Sequence, residues 1–126
     1  MSIDRLKNIW AEVYRSERDT AEVIEEFFHP DCKQCINGAI AYRPEYVNHV
    51  MAQKQNMVVE HIEYTHYIEK GDELFAIYYP KGKNTKGLDI EAEVIGYFKF
   101  QGKQILNIQG QVRLIKGEYT DVDMPD

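Results

Sequence analysis

Apolar residues recur every three or four positions as far as Asn56, and at every second position after it. That change of period predicts helices first and strands afterwards, because side chains share a helix face at intervals near 3.6 and a strand face at intervals of 2. Ser2 is placed to cap a first helix whose stripe is Ile3, Leu6, Trp10 and Val13, flanked by Ile9 and Tyr14. Asp19-Thr20-Ala21-Glu22 has the form of a capping box. It starts a second helix with Val23, Ile24, Phe27 and Phe28 on its apolar face, and Pro30 ends it. The stretch Asp31 to Ile36 is a short strand before the turn signal Asn37-Gly38. Arg43-Pro44-Glu45 opens a third helix with Tyr46, Val47, Val50 and Met51 inward.

Met57 to Glu69 then forms a long strand, turned by Gly71-Asp72 into Glu73 to Tyr79. A loop from Pro80 to Gly87 leads to Leu88 to Phe100, where Leu88, Ile90, Ala92, Val94, Phe98 and Phe100 alternate with mostly polar residues. After Gln101-Gly102, Ile105 to Lys116 sets Leu106, Ile108, Val112 and Leu114 against Asn107, Gln109, Gln111 and Arg113. The acidic end, residues 117–126, reads as a loose tail. The order predicts an α+β fold: one domain, residues 1–126, with three N-terminal helices packed on a curved, mainly antiparallel sheet. A long twisted sheet that curls around helices leaves a conical pocket between them.

Composition narrows the partners. A chain of 126 residues that is 44% hydrophobic supports one core. The net charge of −6 opposes nucleic-acid binding, which rewards clustered Lys and Arg. The basic group Lys81, Lys83 and Lys86 reads as a solvated loop tip. The N-terminal stretch is charged at once and no apolar run is long enough to span a bilayer, so the expectation is a soluble, cytoplasmic protein without a membrane partner. Nine tyrosines suit either a lined cavity or plain strand packing.

The runs FFHPDCKQCING, RPEYVNHV, EKGDELFAIYY and VIGYFKFQGKQILNI resemble, in order and spacing, the SnoaL-like branch of the nuclear transport factor 2-like superfamily. The resemblance covers residues 3 to 116. It implies a cone-shaped α+β barrel and a homodimer. Relatives of this kind include isomerases, polyketide cyclases, dehydratases and non-catalytic ligand binders, so fold does not fix function.

Within that frame Cys32-x-x-Cys35 lies on the first strand, where alternation points the two thiols to opposite faces. Their Cα atoms would be about 10 Å apart, beyond the roughly 7 Å that a disulfide bridges. A zinc knuckle with His29 would lack a fourth ligand, so no metal or cofactor is expected. The resemblance places an isomerase tyrosine at Tyr14, but the base position near Ile36-Asn37 and the acid position near Gly96 carry no carboxylate. The cyclase pattern of a histidine and an aspartate on the last two strands is likewise missing.

Of the four histidines, His29 is expected at a helix end and His49 near the surface. His61 and His66 lie five apart on one strand and therefore face opposite ways. Either could be a general acid/base working with Tyr14, or an exposed or interface residue. The leading expectation is a homodimeric cone barrel that binds a small, largely apolar molecule, lined by Trp10, Tyr14, Tyr46, Val94, Phe98, Ile108 and Val112. Simple core packing by the same residues is the competing reading. The alternatives are a lyase, isomerase or cyclase using His66 or His61, and an interaction module using the outer sheet face. The row Asn107, Gln109, Gln111 and Arg113 is the expected contact with a second copy.

Overall fold

The structure, a computed structural model, describes residues 1–124. Its elements are α1 (Ser2–Val13), α2 (Thr20–Phe27), β1 (Phe28–Ile36), β2 (Ala39–Tyr42), α3 (Arg43–Asn56), β3 (Met57–Lys70), β4 (Glu73–Asn84), β5 (Asp89–Gln101) and β6 (Gln104–Lys116), then a turn of 3-10 helix at Tyr119–Val122. The six strands form one sheet in the order β2-β1-β6-β5-β4-β3. Only β1 and β6 run parallel; the other neighbours are antiparallel. Three helices against one mixed sheet give the expected α+β cone.

α1 buries Ile3, Leu6, Ile9, Trp10 and Val13, the predicted stripe, and α2 adds Val23, Ile24 and Phe27. Ser2 does not cap α1. It lies within the helix and donates its hydroxyl to Gly71 O at 2.8 Å, while the Glu69 carboxylate accepts from Ile3 N at 2.9 Å. The β3–β4 hairpin thus satisfies the orphan amide that a local side chain usually takes. Asp19 caps α2 as expected, accepting from Glu22 N at 3.1 Å.

Other boundaries differ for identifiable reasons. α2 stops at Phe27, and Phe28 to Pro30 already belong to β1. Pro30 is tolerated because the β1–β6 register breaks between Phe28 and Lys33, where no ladder bond needs its missing N–H. β2 is an additional strand of four residues paired with β1, too short to announce itself by alternation. β4 continues through Pro80 to Asn84, so Lys81 and Lys83 lie on a strand and not in a loop. They pair with Glu63 at 2.8 Å and Asp89 at 2.7 Å. In α3, Met51 faces solvent and Gln53 takes the inward place. Leu88 also lies exposed, in the turn before β5.

Two strands approach closely at the centre of the sheet. Gly96 and Gly110 face each other across β5 and β6. A Cβ on Gly110 would stand 2.5 Å from the Ile95 carbonyl oxygen and 3.0 Å from the Gly96 Cα. A side chain on Gly110 would have to displace backbone, so the position requires glycine. The segment expected to be a loose tail is ordered as far as Met124. Val122 is 7% exposed and packs with Met57 and Ile90, while residues 125–126 lie outside the described residues.

Candidate functional site

α1 and α3 lie over the concave sheet face, and a cavity of about 290 Å³ remains between them. That volume sits at the low end of the roughly 300–1,000 Å³ typical of small-molecule sites. All seven residues named from the sequence line it: Trp10, Tyr14, Tyr46, Val94, Phe98, Ile108 and Val112. Tyr78 of β4 and Met57, Val59 and Ile62 of β3 reach the same space, and Val122 of the C-terminal segment closes one side. The interior walls are apolar and aromatic. Trp10 packs edge-on against Phe98, with ring centroids 6.4 Å apart, and Tyr78 lies 6.3 Å from Phe98.

Within these walls stand three phenols, Tyr46 and Tyr78 buried and Tyr14 half-buried. Tyr14 ends α1 and donates its hydroxyl to Gln53 Oε1 at 2.8 Å. Gln53 Nε2 in turn donates to Val122 O at 3.0 Å. One amide therefore ties the inward tyrosine to the C-terminal segment. Tyr78 accepts from the Trp10 indole N–H at 3.1 Å. An indole only donates, so the Tyr78 proton remains free for another acceptor. Tyr46 lies between Phe28, at 5.0 Å between centroids, and the His49 ring, at 5.8 Å.

Burial sets the state of these phenols. It pushes the Tyr14 hydroxyl up to about 12, and lifts Tyr46 and Tyr78 well above the ordinary tyrosine value. Removing the groups from water disfavours the phenolate, so all three are neutral donors near pH 7.

Neither histidine proposed as acid/base reaches the cavity. β3 carries register breaks between Val59 and His61 and between Tyr64 and His66, which disturb the simple alternation. Met57, Val59 and Ile62 line the cavity, whereas His61 and His66 are both exposed. The rim holds a different histidine. His49 Nδ1 lies 3.0 Å from Asp123 Oδ2, with both side chains partly exposed. The sequence placed His49 near the surface, as its partly exposed side chain bears out, but showed no sign of Asp123, 74 residues away on a segment expected to be loose. It also missed Tyr78, Gln53 and Gln34. Tyr78 alternates with Ala76 and Leu74 on an inward face, which was the usable signal.

On β1, Cys32 is buried and Cys35 only partly so. Burial raises the Cys32 thiol to about 12, against the opposing charge of Arg43. Among the described residues no three His, Cys, Asp or Glu side chains gather as metal ligands. No helix among them is long and apolar enough to cross a membrane.

The chain has the nuclear transport factor 2-like cone fold, shared by SnoaL-like and ketosteroid isomerase-like proteins. It is similar to a candidate SnoaL-like polyketide cyclase from Jannaschia sp. CCS1, at TM-score 0.72 and 9% identity over 98% of this chain and 93% of that one. It is similar to a ketosteroid isomerase-like-fold protein from Catenulispora acidiphila, solved with trimethylamine, at TM-score 0.69 and 14% identity over 99% of this chain and 96% of that one. An NTF2-like protein of unknown function from Exiguobacterium sp. 255-15 matches at TM-score 0.68 and 14% identity, over 90% and 98%. No family model matches the chain, and no curated protein matches it.

Proposed function

We propose that the cavity binds a small, neutral, largely apolar molecule that carries an oxygen acceptor. The observation that carries this reading is the buried Tyr78 hydroxyl, which accepts from Trp10 and keeps its proton for a ligand. Aromatic walls supply the affinity for the apolar body, and the phenol fixes orientation. The charged groups that reach the cavity already have partners: Lys81 ion-pairs with Glu63 at 2.8 Å, and Asp123 hydrogen-bonds with His49 at 3.0 Å. An anionic ligand would find no unpaired cation among the described residues that line the cavity.

The test is a nuclear magnetic resonance titration with acetophenone, and with ethylbenzene as the match lacking oxygen. Acetophenone should shift the methyl signals of Val94, Ile108 and Val112, and Tyr78→Phe should weaken it by roughly two- to tenfold, the worth of one hydrogen bond. Equal binding of both compounds, or shifts confined to the outer sheet face, would refute the reading.

The rim pair supports a second reading, an isomerase or lyase. A carboxylate on Nδ1 orients an imidazole so that its other nitrogen can take a proton, as general-base chemistry requires. His49 stacks on Tyr46 and lines the cavity, which puts it closer to a bound carbonyl compound than His61 or His66. This reading expects solvent deuterium to enter β-tetralone next to its carbonyl faster than in buffer, and His49→Gln to abolish the excess. The binding reading expects no excess at all.

A further inference from the structure

The cavity holds one further polar side chain that the tyrosine cluster does not use. Gln34 lies on β1 in register with Ile108 of β6, and faces inward with Cys32 and Ile36. It is only 3% exposed and lines the cavity. Each of the other amides buried or bridging nearby has a partner: Gln53 binds Tyr14 and Val122, and Asn37 binds both backbone groups of Val112. The Gln34 amide has none among the described residues. Among the described residues no fully enclosed side-chain N or O lacks a partner, so the free amide keeps its open side toward the cavity.

We propose, resting on the reading of this cavity as a ligand site, that Gln34 sets its specificity. It selects a neutral group that both donates and accepts hydrogen bonds, a carboxamide or a lactam, over a ketone or a carboxylate. An amide on an apolar wall costs desolvation that a leucine or methionine of similar volume would avoid. Packing alone therefore gives no reason for it. A glutamine offers one acceptor oxygen and two donor hydrogens. A carboxamide or lactam satisfies both sides at once. A ketone leaves the Gln34 oxygen unpaired, and a carboxylate must bury a charge with no counter-charge inside. Sites that leave a buried polar group unpaired reject the ligand responsible.

Benzamide, acetophenone and benzoate share one ring and differ only in the group on the carbonyl carbon. Magnetic resonance titration of the whole chain with the three compounds should rank benzamide about tenfold or more above acetophenone, with benzoate weakest. Gln34→Leu should bind benzamide and acetophenone equally, with acetophenone unchanged or tighter. Its unfolding midpoint should rise, because an unpartnered buried amide has gone. Equal affinities in the unsubstituted protein, or a benzamide preference that survives in Gln34→Leu, would overturn the role of Gln34 and leave the cavity reading standing. Failure of all three compounds to bind would overturn both.

Discussion

Replacing Gln53 by leucine tests the buried relay most severely. The amide makes two hydrogen bonds, from the Tyr14 hydroxyl at 2.8 Å and to Val122 O at 3.0 Å. Leucine has similar volume, so the loss is mainly polar. Each bond is worth about 0.5–1.5 kcal/mol net, and a buried group left without a partner costs about 1–3 kcal/mol. Val122 O loses its amide inside the packed segment, whereas the Tyr14 proton can turn toward the cavity. The sum is about 2–4 kcal/mol. Unfolding entropy near 2.1 cal/mol/K per residue gives about 0.26 kcal/mol/K for 126 residues. The midpoint should therefore fall by about 8–15 °C. Thermal unfolding by circular dichroism reads this directly. Tyr14→Phe removes one bond and strands only Gln53 Oε1, so it should cost about half as much. The double variant should cost less than the sum, with a coupling of at least about 0.5 kcal/mol. A Gln53→Leu midpoint within about 3 °C of the parent, or strict additivity, would show that the relay does not hold the C-terminal segment.

Three further outcomes follow from the same geometry. Tyr14, Tyr46 and Tyr78 have folded pKa values above the unfolded value near 10. Their contribution to stability is thus complete below pH 10 and is lost as pH rises toward and past 12; tyrosinate absorbance and circular dichroism should change together in that window, and full ionisation of all nine tyrosines in a still-folded protein would contradict it. Native-state alkylation at neutral pH should modify Cys35 well before Cys32, whose thiol is buried and held near 12; equal rates at both, read by peptide mass, would contradict the inward placement. On the outer sheet face, Gln109, Tyr97, Phe75 and Ile68 run in register across four strands, and Ile95 and Ile77 extend the patch beside Gln111. Ile68 is 76% exposed and Phe75 59%, so we propose that a second copy docks there; light scattering should give a dimer that Phe75→Lys dissociates, and a monomer mass at micromolar concentration would refute it.

The helices and the inward sheet faces were legible because each follows one period over several turns or strand residues. The stripe of α1 and the alternation of β5 are examples, and together they located the seven cavity residues. What escaped has three physical causes. Register breaks on β3 disturb its alternation, so the faces of His61 and His66 could not be read by counting along the strand. Partners far apart in sequence leave no local trace: Glu69 capping α1, or Asp123 meeting His49, depends on the finished fold. Gln34 and Gln53 are polar residues in inward places, and a pattern of apolar positions passes over them. Those two amides carry much of the site's hydrogen-bonding capacity.

A crystal structure of the protein soaked with benzamide would show whether the cavity is a ligand site. Density should fill the space between Trp10, Tyr78 and Ile108, with the benzamide oxygen about 3 Å from a Tyr78 or Gln34 donor. A cavity closed by a turned Trp10 or Met57, with benzamide found only on the outer surface, would contradict it.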